Sequence, residues 1–217
     1  MSYPKRFLAA LRNFTEYNYG MRILLIAIAL VVVALVGWLT FKDTPAVEEE
    51  VINNNGENSM TISIQLTSSA FEYNGSIPSK YTCDENGRLS PPLSISGVPE
   101  KTVSLALIMD DPDVPKQLRP EGVFDHWVLF NIPATTKEIP EGTSVGTLGA
   151  NSGGVSTYTG PCPPSQYEPS EHRYVFKLYA LDAELDLEPG ATKEKVLEAM
   201  RGHVIADAEL IGRYKRQ

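Results

Sequence analysis

Cysteine and histidine are scarce in this chain: 217 residues hold two Cys and three His. Two cysteines exclude a disulfide-dense scaffold and any four-cysteine zinc site. Three histidines leave too little for a histidine-rich metal centre. Low-complexity tracts are missing as well. Sixteen Gly and sixteen Pro are scattered without a repeat, so collagen-like and wholly disordered readings fail. Positive charge is in deficit, with 19 Lys and Arg against 27 Asp and Glu, a net charge of -8. Nucleic acid is therefore not an expected partner, because such binding rests on Lys and Arg neutralising phosphates. There is no H-E-x-x-H helix and no Walker loop. The length suits one medium domain with an appendage.

The appendage is legible first. Ile23 to Phe41 is a run without a charge (ILLIAIALVVVALVGWLTF), bounded by Arg22 and Lys42. As a helix it rises roughly 28 Å, close to the ~30 Å hydrocarbon core of a bilayer. A core helix of a soluble domain would carry a polar face, and this run has none. A cleaved signal peptide would have a shorter apolar stretch ending in a small-x-small site. The expectation is an uncleaved signal-anchor over 23–41. Lys5, Arg6, Arg12 and Arg22 precede it, whereas Asp43, Glu48, Glu49 and Glu50 come after Lys42. The positive-inside rule then leaves residues 1–22 as a short basic cytoplasmic N-terminus and sends the rest outside the cytoplasm. Residues 42–59 are polar, acidic and aperiodic, and read as a flexible linker.

From Met60 to Gln217 the pattern becomes period two. TISIQL, LSIS, VSLALIM, HWVLFNI and RYVFKLYAL are β-branched or aromatic runs separated by Gly, Pro, Asn and Asp, which predicts strands and turns. Val103, Leu105, Leu107 and Met109 form one apolar face; Tyr174, Phe176, Leu178 and Ala180 form another. One helix is predicted, with Thr192 as N-cap, Val196, Leu197 and Met200 on its apolar side, and Gly202 near its stop. A last strand falls between Val204 and Tyr214. The fold class is all-β with minor α, a β-sandwich preceded by one transmembrane helix.

Three segments stand apart from this filler. Asp110-Asp111-Pro112-Asp113-Val114-Pro115 continues from an apolar strand, and three carboxylates in four positions repel unless donors or a cation satisfy them. Read alone, it is equally a proline-stiffened turn with Asp side chains capping backbone amides. Phe124-Asp125-His126-Trp127 opens the strand that runs to Asn131-Ile132-Pro133. Gly160-Pro161-Cys162-Pro163-Pro164 precedes His172-Arg173-Tyr174, where His172 and Tyr174 share a strand face.

Together the segments resemble the phosphatidylethanolamine-binding protein family, and within it the prokaryotic Raf-kinase-inhibitor-like (YbhB/YbcL) branch. The likeness runs from about Thr61 to Arg216. Ile77-Pro78, Tyr81-Thr82-Cys83, Ser90-Pro91-Pro92-Leu93, Gly97-Val98-Pro99 and the segment from His203 to Gly212 are also similar to that branch. The resemblance implies a β-sandwich with a small anion-accepting pocket at one end. Its ligand would be phosphate or a zwitterionic phospholipid headgroup, with no cofactor. By motif position the ligand-binding residues would be Asp111, Asp113, Pro115, His126, Gly160, Pro161, His172 and Tyr174. His126 and His172 would donate ring N–H groups, Tyr174 its hydroxyl, and Asp111 would fix a histidine tautomer or accept a bond from a ligand's ammonium group. Ser170 stands where the family often has Gly. The branch also places Cys83 and Cys162 near the pocket mouth, and an extracytoplasmic location favours a disulfide between them. Two other roles remain open: an interaction or inhibitor module acting on a protease or kinase, and a phosphoester hydrolase.

Overall fold

The computed structural model describes residues 63–217, which belong to the unit Met60–Gln217. The anchor, linker and N-terminal segments expected from the sequence lie outside the described residues. Among the described residues no helix is long and apolar enough to cross a membrane.

Two sheets stack face to face. The smaller has the order β1 (Gln65–Thr67), β3 (Leu93–Ser96), β6 (Glu138–Ile139), all antiparallel. The larger runs β2 (Gly75–Ser76), β9 (Val204–Lys215), β8 (Glu171–Leu181), β4 (Ser104–Asp111), β5 (Phe124–Pro133), β7 (Thr147–Leu148). Only the β2–β9 pair is parallel. Between the sheets lies the main core. Leu66, Leu93, Ile95 and Ile139 of the small sheet meet Leu105, Leu107, Met109, Trp127, Leu129, Phe176 and Leu178 of the large one. The predicted sandwich is therefore observed.

The period-two reading of β4 captured one face only. Val103 lies outside the strand and is half-exposed, while Leu105, Leu107 and Met109 are buried as expected. Ala106 and Ile108 on the opposite face are buried too, in a second core with Val128, Phe130, Leu181, Leu185 and Ala191. Helix α1 (Lys193–Ala199) covers that face, inserting Val196, with Met200 at its C-cap. A strand apolar at every position is what burial on both sides requires. Thr192 occupies the N-cap position, but its hydroxyl makes no capping bond. Gly202 adopts φ +80°, the left-handed conformation that lets the chain leave the helix and enter β9.

Two irregularities in the β4–β5 pairing set the direction of individual side chains. Leu105 pairs with Ile132 and Leu107 with Leu129, so Asn131 is an extra residue on β5; its φ is +50°. Its side chain clamps both backbone groups of Leu185, each at 2.8 Å. At the other end Met109 pairs with Trp127 and Asp110 with Asp125, which leaves His126 unpaired with β4. Such a bulge rotates one side chain relative to its neighbours. Trp127 therefore enters the main core, and Asp125 faces α1.

An ion triad fastens that helix. Lys193 Nζ lies 3.0 Å from Asp110 Oδ2 and 2.7 Å from Asp125 Oδ1, all three side chains largely buried. Burial pushes the Asp110 carboxyl up to about 6 despite the ammonium. A carboxyl with a raised folded-state value disfavours the fold once it ionises, and does so less as pH falls below that value. Lys193→Met leaves two carboxylates without their cation and should cost about 3 kcal/mol at pH 7. The loss should shrink at pH 5, where Asp110 takes up a proton. Urea unfolding at both pH values measures it; an equal loss at both would contradict the triad's role.

Candidate functional site

β4 ends, and β5 and β8 begin, at one end of the sandwich, so the three singled-out segments meet there. Asp111 pairs with Phe124 across β4–β5, and Asp110 with Val175 across β4–β8. The polar side chains at this end are buried: Asp111 is 4% exposed, His126 5%, His172 0% and Tyr174 0%.

His172 Nδ1 donates to Asp111 Oδ2 at 2.7 Å. The other oxygen, Asp111 Oδ1, accepts the Asp113 amide at 2.9 Å. Both carboxylate oxygens are thus used within the protein: of the two roles open to Asp111 it has that of orienting His172, and neither oxygen is left for a ligand ammonium. Burial alone would pull the His172 imidazole down. The hydrogen bond and charge of Asp111, with Asp113 and the nearby Pro169 carbonyl, outweigh it and raise the value above that of an ordinary histidine. Nε2 of His172 is buried and completes no hydrogen bond, although the Pro169 carbonyl is near enough to favour its proton.

His126 is positioned by the bulge. Its Nδ1 lies 2.6 Å from the Thr159 carbonyl. A carbonyl only accepts, so the proton sits on Nδ1. Burial holds the imidazole below its ordinary value, although Asp111 and Asp125 favour the charged form. A neutral ring with Nδ1–H carries a lone pair on Nε2. His126 is therefore an acceptor towards the site, where two donating histidines were expected.

Aromatic contacts frame this ring. Tyr174 meets it edge-on at 5.2 Å, and Phe124 lies at 4.8 Å. Arg119 sits over Phe124, its Cζ 5.0 Å from the ring centroid. Tyr174 Oη is buried without a hydrogen-bond partner. Burial, then the charge of Asp111, keeps that phenol protonated by pushing its value up.

The remaining predicted residues serve the frame. Asp113 is held by Arg173 in a two-pronged pair, Nη2 to Oδ1 at 2.7 Å and Nε to Oδ2 at 2.9 Å, and also accepts the Arg173 amide at 2.9 Å. Arg173 holds its carboxyl below the usual range. Pro115 is buried, and its carbonyl accepts the amides of Leu118 and Arg119. Gly160 permits close packing: a Cβ there would sit 2.4 Å from the Tyr81 carbonyl oxygen. Its amide donates to Gly87, and Pro161 accepts the Cys83 amide. The Cys83–Cys162 disulfide joins these same two loops, and Tyr158 Oη donates to the Tyr81 carbonyl at 2.9 Å.

Sequence reasoning missed Thr159, Tyr158, Arg173 and Arg119. Only Arg173 carried a signal, as the middle of His-Arg-Tyr; the others act through backbone groups or through a loop fold that spacing does not reveal. The run Gly142-Thr143-Ser144-Val145-Gly146 spells a hydrolase nucleophile elbow, but it is a connection between β6 and β7 with Ser144 exposed, not a strand-turn-helix. Among the described residues no three His, Cys, Asp or Glu side chains are grouped to hold a metal ion.

A fold with this end-of-sandwich cluster has close relatives. The family model for phosphatidylethanolamine-binding protein matches residues 67–215, and the chain belongs to that family. It is 51% identical over 160 residues to a UPF0098 protein of Methanothermobacter thermautotrophicus, covering 70% of this chain and 99% of that one. A crystal structure of a phosphatidylethanolamine-binding protein homologue from Chlamydia trachomatis matches with 46% identity and a TM-score of 0.68, over 72% of this chain and 99% of the other. That of Escherichia coli YbcL, described as a new member of the mammalian family, matches with 29% identity and a TM-score of 0.63, over 71% and 99%. The prokaryotic branch inferred from the motifs is consistent with these relatives.

The Asp111–His172 pair makes a testable statement about charge. A histidine with a raised folded-state value stabilises fully below about pH 6.5 and loses that contribution as pH rises through the raised value. Asp111→Asn removes the counter-charge and leaves the burial, so His172 should titrate below an ordinary histidine. Proton NMR titration of the ring signals compares the two chains; an unchanged His172 midpoint would contradict the pairing.

Proposed function

We propose that the chain is a membrane-tethered binding module whose end-of-sandwich site takes a small anionic or zwitterionic ligand, a free phosphate or a phospholipid headgroup. One observation supports this over all others: His172 Nε2 and Tyr174 Oη are buried polar atoms that complete no hydrogen bond within the protein, and the Tyr174 ring lies against His126. An unpaired buried group costs about 1–3 kcal/mol, and a ligand oxygen accepting from both would relieve that cost. Hydrogen bonds to an ionised acceptor are the stronger kind. Binding is favoured over catalysis because, among the described residues, no hydroxyl is hydrogen-bonded to the His126 or His172 ring and no free thiol is present. Both cysteines are in the disulfide.

The tether rests on the uncharged run Ile23–Phe41 and its flanking charges. The Cys83–Cys162 pairing suits an oxidising compartment and so the outward orientation.

Inorganic phosphate and phosphoethanolamine titrated to millimolar levels should shift the ring signals of His126 and His172. His126→Gln should weaken binding about tenfold while the thermal melt stays cooperative. Unmoved ring signals would overturn the reading. For the tether, the full chain expressed in bacteria should stay in the membrane pellet after alkaline extraction and be cleaved by protease added outside the inner membrane. Release into the soluble fraction would contradict it.

A further inference from the structure

Strand β9 is paired along its full length on one side only. Two bonds show which way its backbone points: the Asn74 amide donates to the Ile211 carbonyl and the Ile77 amide to the Arg213 carbonyl, each at 2.8 Å. In an antiparallel ladder the N–H and C=O of one residue lie on the same side, and alternate residues take opposite sides. Odd-numbered residues of β9 therefore turn their backbone groups away from β8. The register with β8 runs unbroken from Lys215 to Ala206, so Asp207 and Glu209 point outward like Ile211. On that side β2 reaches only Gly212 and Arg213. Among the described residues no backbone group bonds the outward N–H or C=O of Asp207 or Glu209, and both residues are exposed. An edge left in this state is a template for another strand.

The side chains along the edge say what kind of strand. Asp207 lies opposite Tyr179 on β8 and Glu209 opposite Lys177, so one of the two carboxylates faces no cation there. Asp182 adds acidity where the edge begins, its amide donating to the His203 carbonyl at 3.0 Å. At the same end Val103, Val204 and Ile205 are 50%, 42% and 40% exposed. The Val103 amide donates to the carbonyl of Leu181, the partner of Val204, which makes the three an apolar cluster. A second copy of the chain does not fit. Antiparallel pairing centred on the open length sets Asp207 against its own copy, parallel pairing in register does the same, and like charges directly opposite destabilise.

We propose that the open length of β9, Val204–Leu210, docks an extended basic segment of a partner protein. The segment adds a strand to the large sheet, with Lys or Arg beside Asp207 and Glu209 and an apolar residue against Val103, Val204 and Ile205. Main-chain hydrogen bonds supply the affinity and the alternating side chains the specificity. The ligand cluster is at the other end of β9, where His172 pairs with Tyr214, so this role is independent of the one proposed for that cluster.

A capped peptide alternating lysine and valine tests the edge against its glutamate–valine counterpart, with the full chain in detergent. At millimolar concentration the lysine peptide should shift the amide signals of Asp207 and Glu209 and slow their hydrogen exchange. It should bind about tenfold more tightly than the glutamate peptide, from two cross-strand charge pairs. Asp207→Lys combined with Glu209→Lys should reverse that preference. Asp207→Pro removes one outward N–H and leaves the β8 ladder whole; it should abolish binding while the His126 and His172 ring signals stay in place. Shifts confined to other strands, equal binding of the two peptides, a preference that survives the double substitution, or no binding of either would overturn the inference. So would a dimer in sedimentation that Asp207→Pro dissolves, because the occupant would then be a second copy.

Discussion

A carboxylate and an imidazole taken out of water together are the constraint on which this end of the molecule depends. Asp111 and His172 are both largely inaccessible and 2.7 Å apart. Neither tolerates that environment alone, since an unpaired buried charge is among the most costly features a fold can carry. Paired, they set the orientation of the imidazole and, through the Asp113 amide on the second carboxylate oxygen, the first turn of the loop after β4. Asp113 then reaches back to Arg173, the neighbour of His172. The loop and the start of β8 are thereby cross-linked by two ion pairs of different character, one buried and one half-exposed.

The sandwich supplies the rest by geometry. Because β4 is covered on both faces, it is a rigid platform, and its end projects Asp110 to one side and Asp111 to the other. Asp110 joins the triad that fastens α1, while Asp111 joins the ligand cluster. One Asp-Asp dipeptide thus serves helix docking and site construction at once. The bulge at His126 adds the third element, turning a ring that strict alternation would have aimed at the helix side towards Tyr174.

Much of this is legible in the sequence, and the failures have physical causes. The strands β3, β4, β5, β8 and β9, the late helix and the Gly202 exit come from periodicity and capping, because those signals are local. Asp111, His126, His172 and Tyr174 are reached through motif resemblance, which encodes a spatial cluster that spacing alone does not. The second core escapes because the period-two reading followed one face of β4, although Ala106 and Ile108 make the strand apolar on both, the mark of burial on two sides. The donor assignment of His126 is inverted for a related reason: its tautomer is decided by the Thr159 carbonyl, a backbone atom with no sequence signature. Gly160 and Asp113 read as ligand contacts in the sequence. In the structure Gly160 lets two loops approach, and Asp113 is committed to an arginine.

The cluster's chemistry reduces to where the protons sit: on Nδ1 of His126, on both ring nitrogens of His172 and on Oη of Tyr174. The Thr159 carbonyl and the Asp111 carboxylate dictate the first two. Long-range proton–nitrogen correlation spectra of the ligand-free chain read both rings directly. Across pH 6 to 8 the account predicts a neutral His126 with its proton on Nδ1, and a His172 whose Nδ1 keeps its proton throughout. A His126 ring protonated on Nε2, or a His172 that becomes neutral with its proton on Nε2, would contradict it.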